Sequence, residues 1–151
     1  MKTRFVAFSA VLLITLSAFA GEKILVNRND DGVAVQGYDV VAFFTDNKPV
    51  KGKVEIQSIY KNARYYFAST EHKQMFDADP AKYEPEFGGY CAYGVSKGYT
   101  VPVEIDAFQI VNGRLLMQYN KKAREKFNED SLGNLKKADT NWPGLVEKEG
   151  R

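Results

Sequence analysis

Phe108-Gln109-Ile110-Val111-Asn112-Gly113-Arg114-Leu115-Leu116-Met117-Gln118-Tyr119 is the stretch on which the fold turns. Two extended apolar runs flank Asn112-Gly113, and both turn residues tolerate positive φ, as a two-residue hairpin connection demands. Residues 108–111 and 114–119 therefore read as paired strands, with Leu115, Met117 and Tyr119 on one face. A second hairpin lies upstream. Val54, Ile56, Ser58 and Tyr60 alternate with Glu55, Gln57 and Ile59, Lys61-Asn62-Ala63 turns the chain, and Tyr65-Tyr66-Phe67-Ala68 returns.

Helix signals fill the intervals. Ser69 is placed to cap a helix over Glu71 to Phe76, with Glu71 favourable in its first turn. Asp79-Pro80 repeats the signal, a cap followed by proline at the first helical position. That helix must stop near Glu84, because Pro85 disfavours helical geometry in the residue before it. Residues 121–128 and 132–138 read as two more helices, and Trp142-Pro143 is expected to end the ordered chain, leaving 146–151 as a tail. Gly37-Tyr38-Asp39-Val40-Val41-Ala42-Phe43-Phe44 fits a buried strand or a short helix capped by Asp39. Hairpins and helices in blocks, without βαβ spacing, give an α+β domain over residues 33–145. Residues 21–32 read as a loosely held polar lead-in, and no internal repeat or low-complexity tract is visible.

The first twenty residues have another purpose. Lys2 and Arg4 precede an uncharged run from Phe5, which closes on Ala18-Phe19-Ala20 before Gly21-Glu22-Lys23 restores polarity. This is the layout of a secretory signal cleaved after Ala20, and the run is short for a bilayer span. The expected product is periplasmic or secreted and not embedded in a membrane. The chain has 21 Lys+Arg against 19 Asp+Glu, so losing Lys2 and Arg4 leaves 19 of each. Scattered bases without net charge argue against a nucleic-acid partner.

Cys91 is the only cysteine and His72 the only histidine. A lone thiol cannot staple an exported domain; it is buried and inert, ligating, or reactive. Met75 lies three residues beyond His72, on the same helix face. Thiol, imidazole and thioether together suit Cu(I), or a borderline metal such as Zn. Packing is the plainer alternative for each: free Cys often behaves as a small hydrophobe, His72 stands among charged neighbours, and Met75 precedes Phe76. A thiol enzyme would pair Cys91 with His72, its ring oriented by Asp39, Asp106 or Glu71. A module that binds a small ligand or a protein, without metal, would use Tyr90, Tyr93 and Tyr99 around the glycines to line a cleft.

The chain also resembles the YHS domain family, and within it a group of small exported proteins. Tyr65-Tyr66-Phe67-Ala68-Ser69, Phe76 and Asp79-Pro80-Ala81-Lys82-Tyr83 carry the resemblance. It extends to Gly37–Phe44, to Gly88-Gly89-Tyr90-Cys91-Ala92-Tyr93-Gly94 and to Asn141-Trp142-Pro143. It implies an α+β fold and, since such domains occur beside heavy-metal transporters, a metal-handling role. The thiols of the related metal-sensing modules are replaced here by Ala68 and His72, and no cysteine stands near Gly37.

Overall fold

Each hairpin forms where its turn chemistry places it. In the computed structural model, which describes residues 21–151, β1 (Lys53–Tyr60) pairs antiparallel with β2 (Ala63–Phe67). β3 (Glu104–Val111) pairs likewise with β4 (Arg114–Gln118). Positive φ at Lys61, Asn62, Asn112 and Gly113 closes the two turns. The expected signal segment lies outside the described residues. Among those described, no helix is long and apolar enough to cross a membrane.

Six α-helices complete the α+β architecture: α1 (Ala42–Thr45), α2 (Thr70–Ala78), α3 (Pro80–Tyr83), α4 (Ala92–Ser96), α5 (Lys121–Asn128) and α6 (Ser131–Glu149). Oxygen-bearing N-cap side chains fix four of the starts. Ser69 accepts from the His72 N–H, Asp79 from Lys82, Asn120 from Ala123 and Asp130 from Gly133. The ambiguous run at Gly37–Phe44 resolves as the short helix α1, and Val40, Val41, Ala42 and Phe43 are fully buried there.

The C-terminal expectation needs correction. α6 runs through Trp142-Pro143 to Glu149. Leu135, Ala138, Trp142 and Leu145 recur at helical spacing and pack on one core. That burial offsets the backbone bond Pro143 cannot donate. The lead-in is also pinned. Ile24 and Arg151 exchange both backbone hydrogen bonds, and the Asn27 N–H donates to the Gly88 carbonyl at 2.8 Å. Gly88 is required there: its φ is 59°, and a Cβ would lie 2.1 Å from the Leu25 carbonyl oxygen.

A second correction concerns repetition. The order of elements recurs: a 3-10 turn, a short helix, a hairpin and two helices, first from Val35–Gly37 to α3, then from Phe87–Gly89 to α6. Both hairpins slip register at the same place, between Lys53 and Gln57 and between Glu104 and Phe108. The shift between copies is 51 residues through the hairpins, Lys53 to Glu104 and Phe67 to Gln118. Both 3-10 turns hold three successive residues at positive φ, Val35, Gln36 and Gly37 against Phe87, Gly88 and Gly89. Both second strands are flanked by the segment before the copy's first helix, the Ala34 N–H donating to the Arg64 carbonyl and Glu86 to that of Leu115. Matched positions from 53 to 83 and from 104 to 134 share only Ile59/Ile110, Phe76/Phe127 and Asp79/Asp130. The repeat lives in geometry and is nearly silent in sequence.

The two hairpins differ in burial. β2 turns Ala63, Tyr65 and Phe67 into the first core, and Arg64 on its other face is exposed. β4 is buried on both faces: Leu115 and Met117 join the first core, while Leu116 joins the second with Phe127 and Leu135. The returning strand is internal in the second hairpin and keeps an open face in the first.

Candidate functional site

Two buried nodes and one cleft hold the polar chemistry. The first node is Asp39, fully buried ahead of α1. Its Oδ1 accepts from the N–H groups of Val41 at 2.9 Å and Ala42 at 3.3 Å. Its Oδ2 accepts from the Ala68 N–H at 2.8 Å and from His72 Nδ1 at 2.7 Å. One carboxylate thus caps α1, holds the end of β2 and anchors α2, and a buried carboxylate is tolerable when so fully bonded. The expectation that Asp39 could orient the His72 ring agrees with this geometry. His72 is 16% exposed, and its Nε2 lies 3.4 Å from Thr45 Oγ1.

The second node is Cys91, which occupies the place of Asp39 in the second copy. It is 1% exposed. Its sulfur accepts from the Gly94 N–H at 3.4 Å, and its S–H donates to Gln118 Oε1 at the same distance. Gln118 Oε1 also accepts from the Tyr93 N–H at 3.0 Å. Among the described residues, the buried Nε2 atoms of Gln118 and Gln109 have no partner.

Cys91, His72 and Met75 have no bonding partner in common among the described residues. The bonding partners of Cys91 are Gln118 and Gly94, those of His72 are Asp39, Ser69 and Thr45, and the two groups share no residue. Met75 packs against the first core. A copper or zinc site needs its donors about 2.0–2.3 Å from one point, and the hydrogen bonds of Cys91 and His72 lead to separate partners. Among the described residues, no three of His, Cys, Asp and Glu are grouped to hold a metal. The hydrogen-bond partner of the thiol is the Gln118 side-chain amide and not the His72 imidazole.

The cleft lies on the open side of the first hairpin. It is a half-open hollow of about 770 Å³ between β1–β2, the segment 24–32 and residues 149–151, with Arg28, Ile59, Arg64, Tyr90 and Arg151 among its walls. Of the tyrosines expected to line a cleft, Tyr90 does so. Tyr93 instead sits under the Lys97 ammonium, and Tyr99 is half exposed. Burial raises the Tyr90 hydroxyl pKa above its ordinary value; Glu149 adds to this and Arg151 opposes it. Sequence reasoning missed the arginines because they are far apart in the chain and meet only when the ends close.

No family model, curated protein or solved structure matches the chain. The YHS resemblance therefore rests on the sequence blocks themselves.

Proposed function

We propose that this chain is an exported, YHS-like binding module that takes a small ligand in the cleft beside the first hairpin and catalyses nothing. The observation that supports it most is the cleft itself. Its volume falls within the range of small-molecule sites, roughly 300–1,000 Å³, and its walls combine apolar, aromatic and charged groups. Its walls are also well fixed. Arg64 is bonded through its backbone to Gly32 and Ala34, and Arg151 to Ile24. Cys91 serves in this reading as a buried strut for α4.

Handling of Cu(I) or Zn through Cys91 is the competing proposal, and it would require Gln118 and Gly94 to release the thiol. Backbone-amide NMR of the purified protein with small anionic, cationic and neutral aromatic fragments tests the cleft. The amides of Gly32, Asn62 and Tyr90 are expected to shift together with at least one class. If no class moves them at millimolar concentration, the cleft reading fails.

A further inference from the structure

The identity of the cleft's ligand follows from comparing the two copies. Position 64 of the first copy matches position 115 of the second by hairpin register. The second copy has Leu115 there, fully buried in the core, whereas the first has an exposed arginine facing the cleft. Packing does not call for that arginine. Neither Arg64, Arg28 nor Arg151 has an ion pair among the described residues, and residues 1–20 contain no Asp or Glu to supply one. Arg28 donates only to the Asn62 backbone carbonyl. By contrast, Arg114, on the neighbouring hairpin, holds both Glu86 and Asp139.

Acidic groups also line the cleft and are otherwise placed. Asp30 and Asp31 form the middle of the turn closed by the Gly32 N–H on the Asn29 carbonyl, an exposed tip. Glu149 accepts from Thr100 Oγ1 at 2.8 Å. The fourth cation of the wall, Lys61, is taken by Glu84. Three guanidinium groups on three separate segments thus line one hollow outside any ion pair among the described residues, with Asp30, Asp31 and Glu149 in the same wall, and the guanidinium fork matches carboxylate and phosphate oxygens in pairs.

We infer that the cleft binds a small organic anion, a carboxylate or phosphate monoester with an apolar or aromatic body. Arg64 and Arg28 take the anionic head, and Ile59 and Tyr90 take the body. Ile59 is 74% exposed and is the cross-strand partner of Arg64, so an apolar group placed beside the head covers it. This rests on the cleft reading above and adds the ligand's class.

Phenyl phosphate, phenylacetate and the matched cation phenethylamine are the probes, titrated into the purified protein and followed by backbone-amide NMR. Either anion is expected to move Gly32, Asn62 and Arg64, with affinity falling as salt rises. Arg64→Gln is expected to bind about tenfold more weakly, while Arg64→Lys, which keeps a charge but not the fork, falls between. Arg64 is exposed, so both variants should fold, and their amide spectra verify it. Inorganic phosphate separates head from body and is expected to bind more weakly than phenyl phosphate. If phenethylamine moves these amides and neither anion does, the anion assignment is overturned and the cleft reading stands. If no probe moves them, both fail.

Discussion

The two copies put different atoms at the same point of the same backbone. Asp39 offers two oxygens and receives four donors. Cys91 offers one weak acceptor and one weak donor, and the second copy compensates by bringing in Gln118 Oε1 to accept from both Cys91 and Tyr93. The match runs residue by residue. Ala42 donates to Asp39 where Gly94 donates to Cys91, Phe67 stands where Gln118 does, and His72 stands where Ala123 does. In this geometry both groups bond to the elements around them, the carboxylate to four donors and the thiol through one donor and one acceptor contact. The side that differs in kind is the open face of the first hairpin. There an arginine replaces a core leucine and a cleft replaces packing.

Removing the stronger node should cost most. Asp39→Ala strands the buried N–H groups of Val41 and Ala42, the part-buried one of Ala68 and a histidine, each worth about 1–3 kcal/mol when left unpaired and not fully additive. A loss of roughly 3–5 kcal/mol in urea unfolding is expected, and a loss below about 1 kcal/mol would mean Asp39 is not the strut described. Cys91→Ala should cost less, about 1–2 kcal/mol, through a small void and a lost weak cap on a five-residue helix. A Cys91→Ala loss equal to that of Asp39→Ala would abolish the distinction between the nodes.

The smallest effect concerns α2. Asp77 matches Asn128 of the second copy, and partial burial that would push its carboxyl up is outweighed by hydrogen bonds from Lys73 and Ser58, which hold it below its ordinary value. A depressed carboxyl pKa stabilises the fold above the ordinary value near 3.8, and that contribution disappears as pH falls through the folded-state value. Asp77→Asn should therefore cost roughly 0.3 kcal/mol at neutral pH, the pair being largely exposed, and nothing at pH 2. A difference from wild type that persists in acid would point to something other than the charge.

Much of this fold was legible locally. Asn112-Gly113, Ser69 and Asp79-Pro80 each act within a few residues, so turn and cap chemistry placed both hairpins and two helices. The continuation of α6 carried a signal too, in the spacing of Leu135, Ala138, Trp142 and Leu145, but proline at 143 argued locally for a stop. The repeat was hidden because backbone geometry tolerates almost any side chain at the matched positions, Tyr65 for Leu116 or Phe67 for Gln118. The candidate site was read only in part. Asp39 as cap of α1 was within reach of local reading, whereas its bond to His72 joins residues 33 apart in the chain, at the starts of two helices. The cleft was not, because Arg28, Arg64 and Arg151 become neighbours through the Ile24–Arg151 closure, a contact no local pattern announces. Rarity made Cys91 and His72 conspicuous, yet rarity says nothing about where a side chain's bonds already go.

Titration of the reduced, purified protein with Cu(I) and Zn(II) beside Cys91→Ser decides most directly whether the thiol is a strut or a ligand. The bonded geometry of Cys91 predicts that the two proteins respond alike, with no one-to-one complex that depends on the thiol. Tight stoichiometric binding by the wild type, lost in Cys91→Ser, would contradict the account and move the functional centre from the open cleft to the second copy's buried node.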